Sequence, residues 1–207
     1  MKQKQVINTM SLFANVGIAE TYLHDIGINV VVANEIDKQR VNFYKHLYPN
    51  TNVIEGDIQN ENIKNELIKV GKAQNIELIM ATPPCQGMST AGKKLKNDVR
   101  NLLITHAIDI VKVLKPKFVF FENVPEQLKT KIVCDDKYVL IPDYIKQELE
   151  YLYNFNTSYL INAADYGVPQ TRERSIILLS RKDLKYKWEF PQKDNNIVTL
   201  EDRKSVV

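Results

Sequence analysis

Cysteine is scarce in this 207-residue chain, which carries only Cys85 and Cys134. Neither has a second cysteine or a histidine at ligand spacing, which argues against a disulfide framework and against a structural zinc. The three histidines, His24, His46 and His106, also lack ligand-spaced partners, so no metal is expected. Charge of one sign is not in excess: 28 Lys and Arg stand against 25 Asp and Glu, a formal balance of +3. So small a balance announces no polyanion partner, and any nucleic-acid surface has to be local. Long apolar runs are missing too. No stretch approaches the ~20 residues that cross a bilayer, and Asn8 and Thr9 interrupt MKQKQVINTMSLF before it could form a signal-peptide core. The chain reads as cytoplasmic, with no membrane partner. Repeats, low-complexity tracts and Pro/Gly/Ser-rich linkers are absent, so no internal boundary is marked.

What is present is an alternation of short apolar runs with helix-like segments, the pattern of a parallel sheet flanked by helices. Strands are expected near Ile7 to Phe13, Ile28 to Asn34, Asn52 to Ile54, Ile76 to Met80, Phe118 to Phe121, Asn156 to Asn162 and Ser175 to Ser180. Helical spacing is clearest from Asn101 to Leu114, where Leu102, Leu103, Ala107, Ile110, Val111 and Leu114 form one apolar stripe.

In open α/β sheets ligands bind beyond the carboxyl ends of the strands, so the residues following each expected strand carry information. Ala14-Asn15-Val16-Gly17 follows the first, Glu35-Ile36-Asp37 the second and Gly56-Asp57 the third. Thr82-Pro83-Pro84-Cys85-Gln86-Gly87 follows the fourth and Glu122-Asn123-Val124-Pro125 the fifth. Polar loops are common, so any one of these has an ordinary explanation as turn chemistry. Together they place potential ligand groups along one edge. A glycine after the first strand lets backbone approach a ligand, and an acid roughly 20 residues on, here Glu35, suits ribose hydroxyls. No Gly-x-x-x-x-Gly-Lys phosphate loop is present, so a nucleoside cofactor fits better than one needing a polyphosphate cradle.

The runs Ala81-Thr82-Pro83-Pro84-Cys85-Gln86-Gly87, Phe121-Glu122-Asn123-Val124 and Gln170-Thr171-Arg172-Glu173-Arg174 resemble, in order and spacing, the signature set of the cytosine-C5 DNA methyltransferase family. The resemblance extends from about Ile7 to about Arg181. It implies an α/β fold of the Rossmann-like, S-adenosylmethionine-dependent methyltransferase type, a mostly parallel central sheet with helices on both faces. It also implies transfer of a methyl group from S-adenosyl-L-methionine to C5 of cytosine in double-stranded DNA, with the target base flipped out of the helix.

The residue types suit that chemistry. Cytosine C5 is too poor a nucleophile to attack a sulfonium methyl until a thiolate has added at C6, and the resemblance makes Cys85 that nucleophile. By their positions in the motifs, Glu122 would hold the ring N3 and exocyclic amine, Arg174 would lie near the base O2, and Arg172 would act in the same site. Phe13 and Gly17 would approach the methionine and adenosine parts of the cofactor, Glu35 the ribose, Ile36 a face of the adenine, Asp57 its amine and Pro84 its ring. Gln86, Ser89, Lys93 and Lys94 would belong to a loop closing over DNA. Asn15 and Ile18 stand where the family has glycines; Asn tolerates positive φ, and Ile18 would start the following helix.

Two rivals share parts of this pattern. An adenine-N6 or cytosine-N4 methyltransferase uses an acid or amide, two prolines and an aromatic, which Thr82-Pro83-Pro84-Cys85 does not supply. A transfer-RNA cytosine methyltransferase shares the motifs and would prefer unpaired targets. Few residues follow Arg174, and the family continues into a target-recognition region and a returning segment. The expected division is therefore a catalytic domain over 1–184 and, over 185–207, the start of a connection to a recognition region. This points to one part of a split or truncated enzyme completed by a second polypeptide, or to a non-catalytic remnant or regulatory subunit with the same fold. Trp188 reads as a last edge strand or a packing anchor.

Overall fold

The computed structural model describes residues 6–84, 102–134, 136–156, 160–194, 198–199 and 201. Five strands come first in the parallel part of the sheet: β1 (Ile7–Leu12), β2 (Ile28–Glu35), β3 (Asn52–Glu55), β4 (Leu78–Ala81) and β5 (Phe118–Asn123). Between them run α1 (Lys38–Leu47), α2 (Glu61–Ala73) and α3 (Leu103–Leu114). A hairpin, β6 (Lys131–Cys134) and β7 (Lys137–Leu140), leads into α4 (Ile141–Leu149). The chain then forms β8 (Tyr153–Phe155), β9 (Leu160–Asn162) and the nine-residue β10 (Glu173–Arg181).

Among the described residues the large sheet has the order β3-β2-β1-β4-β5-β10-β8, with β9 pairing the other end of β10. The first five strands are parallel, and β10 lies antiparallel to β5. After β1 the chain builds outward through β2 and β3, then returns to the far side of β1 with β4. The order therefore reverses between β1 and β4, where a crevice opens at the carboxyl edge.

The central strands are buried on both faces, which is why they read as nearly continuous apolar runs. Met10, Leu12, Ile79, Ala81, Val119, Phe121, Ile177 and Leu179 point toward the main core, shared with α2, α3 and α4. The opposite face carries a smaller cluster in which Ala33, Val53, Val41 and Tyr44 join α1 to the sheet. Helices thus cover both faces. Gly71 of α2 permits the close approach of α2 and α3: a β-carbon there would sit 2.7 Å from Leu114 Cδ1 and 2.9 Å from Met10 Cε.

Helix starts follow local chemistry. Asp37 caps α1 by accepting from the backbone N–H groups of Gln39 and Arg40, and Asn60 caps α2 by accepting from that of Asn62. α3 realises the expected stripe, with Leu103, Ile104, Ala107, Ile108, Ile110 and Val111 buried.

Of the strand expected over Asn156 to Asn162, Leu160–Asn162 is a strand among the described residues, and a separate short strand, Tyr153–Phe155, precedes it. Tyr153–Phe155 pairs the end of β10, and Leu160–Asn162 pairs its start. Asn156 instead uses its side-chain amide to hold the Trp188 carbonyl at 2.9 Å. Trp188 is a packing anchor. Its ring stacks at tilted angles on Phe118 and Phe120, 5.5 and 6.4 Å between centroids, so this part of the stretch after residue 184 is built onto the same sheet.

Candidate active site

Three residues within five adopt left-handed backbone where the chain leaves β1: Phe13 (φ 62°), Asn15 (φ 53°) and Gly17 (φ 82°). This conformation is strained for Phe and tolerated by Asn. It folds the loop back so that the Ala14 N–H donates to the Asn34 carbonyl at 2.9 Å and the Asn15 N–H to Glu35 Oε2 at 2.9 Å. Asn15 thus does the backbone work of the glycine the family has there, and Ile18 opens a short 3-10 turn, Ile18–Glu20. The Tyr48 hydroxyl donates to the Gly17 carbonyl at 2.7 Å. Its ring fills the space a β-carbon on Gly17 would need, 2.3 Å from that position. Gly17→Ala is accordingly expected to destabilise the chain by ~1–3 kcal/mol, a difference readable in urea unfolding.

Glu35 ends β2 with its side chain only 5% exposed. One oxygen accepts from Asn15, the other from the Asp37 N–H at 3.0 Å, and Arg40 Nη1 stands 3.7 Å away. A carboxylate has about four acceptor positions, so two remain for hydroxyl donors. After β3, Asp57 accepts from the Gln59 backbone N–H at 2.9 Å and from its side-chain amide at 3.3 Å. The buried Asn34 amide joins the two strand ends by donating to the carbonyls of Ile54 and Gly56, each at 3.0 Å.

A cavity of about 300 Å³ lies between these groups, beyond the reversal of strand order. Phe13, Glu35, Ile36, Asp57 and Pro84 line it, five of the six residues expected to hold a cofactor. Gly17 is outside the lining, one turn away against Tyr48. Ile36 is 62% exposed at the rim, presenting an apolar side chain to the cavity. Leu103 faces it from α3, and Arg40 and Gln59 complete the polar side. Periodicity had marked Leu103 only as core, and nothing local distinguished Arg40 or Gln59 from ordinary surface residues. The lining thus combines apolar walls with the carboxyl groups of Glu35 and Asp57.

The second half of the site lies on β5 and β10. Antiparallel register pairs Glu122 with Ile176 and Asn123 with Ser175, which brings the start of β10 alongside the end of β5. Arg174 Nε donates to Glu122 Oε1 at 2.8 Å. Both side chains are about a quarter exposed, at 23% and 26%. Burial pushes the Glu122 carboxyl above the usual carboxylate range, outweighing the opposing pull of Arg174 and then of Arg172. Arg172 is exposed, with its backbone N–H donated to Asn162 Oδ1 at 3.1 Å.

Two buried side chains lock this region, Asn123, quoted above within its motif but given no role, and Ser175, marked only as the start of a strand. Asn123 donates its amide to the Pro83 carbonyl at 3.0 Å, tying the end of β5 to the loop after β4. The Ser175 hydroxyl lies within 3.2 Å of the carbonyls of Asn123 and Val124. Cys85 follows Pro84 directly but lies outside the described residues, as do Gln86, Ser89, Lys93 and Lys94. The described loop therefore ends at Pro84, at the cavity wall, one residue before the expected nucleophile.

A mainly parallel sheet with this cavity at its switch point, flanked by a carboxyl–guanidinium pair, is the architecture of a methyltransferase-type α/β domain. In agreement, the fold superposes with a TM-score of 0.74 on a crystal structure described as a DNA modification methyltransferase encoded within an E. coli prophage, at 28% identity, covering 95% of this chain and 53% of that one. The chain belongs to the C-5 cytosine-specific DNA methylase family, which it matches over residues 7–207. It is 40% identical over 205 residues to the Type II methyltransferase M1.HgaI of Avibacterium volantium, covering 96% of this chain and 56% of that protein. It is 34% identical over 193 residues to the Type II methyltransferase M.AquIA of Picosynechococcus sp., covering 88% of this chain and 75% of that one. The chain thus spans between about half and three quarters of the length of these proteins. No described helix is long and apolar enough to cross a membrane.

Proposed function

We propose that this chain is the catalytic part of an S-adenosylmethionine-dependent DNA methyltransferase that modifies C5 of cytosine in double-stranded DNA, in the manner of restriction-modification enzymes. The observation that carries the reading is the Glu122–Arg174 pair at 2.8 Å, set beside the loop that leads into Cys85. A fold alone would not license it; the constellation does.

S-adenosylmethionine, when bound in the cavity, supplies the electrophilic methyl group. Glu35 accepts from its ribose, Asp57 from its adenine amine, and Ile36 with Leu103 covers the ring. The target cytosine leaves the duplex at a cost of a few kcal/mol. The Cys85 thiolate adds at C6, and the displaced electron pair moves through the ring toward N3, where Glu122 delivers a proton. Arg174, held on the Glu122 carboxyl, is within reach of the base O2. C5 of the resulting enamine would take the methyl group as the methyl–sulfur bond breaks, leaving the cofactor as its neutral thioether. The C5 proton then leaves to a base, the C6–S bond breaks, and Glu122 takes back the N3 proton.

A second polypeptide, or the remainder of a longer chain, supplies target recognition under this reading. The test is transfer of labelled methyl from S-adenosylmethionine to mixed-sequence duplex DNA, with a transfer-RNA substrate in parallel and with or without candidate recognition polypeptides. Label at cytosine C5 in DNA is expected. Label confined to RNA would reassign the substrate, and no label under any condition, with cofactor bound, would indicate a non-catalytic subunit.

The cofactor half of the reading has its own check. Glu35→Ala removes a buried acceptor for two backbone donors as well as for the ribose. It is expected to weaken S-adenosylmethionine binding by about 10- to 100-fold in titration calorimetry. Unchanged affinity would place the cofactor elsewhere.

A further inference from the structure

Glu20 has no part in the mechanism above, yet it is one of the most deeply buried acids of the chain. Its side chain is 4% exposed, and neither carboxyl oxygen has a hydrogen-bond partner. The hydroxyl of Tyr44, fully buried on α1, is also unpartnered. The two groups influence one another, with the buried Ser11 of β1 beside Glu20 and Thr51 beside Tyr44, although none is in hydrogen-bond alignment with Glu20. Tyr48, which caps the C-terminus of that helix, lies beyond Tyr44, their ring centroids 4.9 Å apart. His24, on the following turn, lines with Glu20 a neighbouring cavity of about 200 Å³. Hydroxyls therefore face Glu20 from β1 and α1, and no described lysine or arginine is paired with it.

Tyr44 and Tyr48, one helical turn apart, clamp both ends of the loop that precedes and includes the 3-10 turn. Tyr48 holds the Gly17 carbonyl at 2.7 Å, and Tyr44 abuts Glu20. Two residues before Gly17, Asn15 donates its N–H to Glu35. Glu20 is thus tied through this loop to the carboxylate assigned to the ribose.

We propose that Glu20 is a positioning residue for this loop: as a neutral acid it stays enclosed between β1 and α1, beside the hydroxyls of Ser11 and Tyr44, and keeps the turn on α1, and its ionisation loosens the cofactor site. A neutral carboxyl offers both a donor and an acceptor, so it can pair with hydroxyls on both sides. A carboxylate in the same place, with no cation beside it, carries an uncompensated desolvation penalty that outward movement of the turn relieves. Burial already pushes the Glu20 carboxyl up, against the opposing influence of Ser11, its own backbone and Tyr44.

The sign follows from linkage. The folded form holds the proton more tightly than the unfolded chain, so the stabilisation is complete below the ordinary glutamate value. It is lost as pH rises from there through the raised folded value. Glu20→Gln keeps a neutral donor and acceptor at every pH and is expected to remove the loss.

The inference rests on the reading of the larger cavity as the S-adenosylmethionine site. Its test is titration calorimetry of the whole chain with S-adenosylmethionine between about pH 5 and pH 8, in the wild type and in Glu20→Gln. The two should bind alike at the acidic end. The wild type should then weaken relative to the variant by up to about tenfold per pH unit, the ceiling for one proton. Parallel curves overturn the proposal, whereas no binding by the wild type at any pH overturns the cofactor reading instead. Should Glu20→Gln fail to fold, carboxyl carbon-13 NMR of the wild type decides. Titration of Glu20 above the ordinary glutamate range supports the proposal, and titration at or below it overturns it.

Discussion

Replacing Glu122 by glutamine is expected to slow methyl transfer to cytosine by about 10²- to 10⁴-fold, the span usual for a general acid–base group. Glutamine keeps the shape and can still donate to the base, but it cannot give a proton to N3 and take it back. The environment is tuned for that exchange. Arg174 at 2.8 Å would by itself favour the ionised carboxyl, yet burial raises its affinity for the proton more than Arg174 and Arg172 lower it. A larger fraction of Glu122 is therefore protonated near neutrality than for an exposed glutamate. The acid form is the competent one, so the rate should fall as pH rises through the raised Glu122 value, and this limb should vanish in Glu122→Gln. Arg174→Ala removes the stronger of the two opposing charges, so its alkaline limb should move to higher pH. Single-turnover rates against pH, with circular dichroism to verify folding, check both expectations. A full-rate Glu122→Gln enzyme would remove Glu122 from the chemistry.

Cys85→Ala is the other substitution of large effect, and it is expected to abolish transfer while cofactor affinity remains near that of the wild type. Without the thiolate the ring is never activated, and no other described group stands in for it. A direct assay of the covalent step uses duplex DNA carrying fluorine at cytosine C5. Fluorine cannot leave as a cation, so addition followed by methyl transfer stalls as a protein–DNA adduct that survives denaturation. The wild type should form it, supplied with whatever recognition polypeptide it requires, and Cys85→Ala should not. An adduct formed by the variant would assign attack to another residue. Asn123 offers a subtler perturbation. Its loss frees the Pro83 carbonyl, so Asn123→Ala should lower the rate more than it lowers cofactor affinity.

The sheet was legible in the sequence because its strands are short apolar runs buried on both faces and bounded by polar loops. β1, β2, β3, β4 and β5 fall within a few residues of where those runs lie. The carboxyl-edge residues were legible for the same reason: a strand end is a strand end in sequence and in space. Asn15 is an instructive case, since its tolerance of positive φ was apparent from its chemistry and the backbone uses it. Phe13 at positive φ had no such sign, because its conformation is imposed by the loop closing on Glu35 and Asn34. The hairpin β6–β7 was missed because its strands are four residues long and mix Lys with apolar residues, too short for a period to show. Nothing near Asn156 announced that its side chain would hold the carbonyl of Trp188, 32 residues later. Glu20 and Ser11 lie well before Tyr44 in the chain, and all three look like ordinary polar positions until packing encloses them.

The antiparallel entry of β10 between β5 and β8 bears on how the site comes into being. Glu122 sits at the end of one strand and Arg174 at the start of its neighbour, about fifty residues later. At synthesis rates of ~5–20 residues per second, every residue that lines the larger cavity, up to Leu103, is made several seconds before β10. Through that interval β5 presents an open edge, and Glu122 has no guanidinium beside it. Under the proposed function the residues assigned to the cofactor are therefore made before the pair assigned to the base, and pairing of β10 is the late, high-contact-order step.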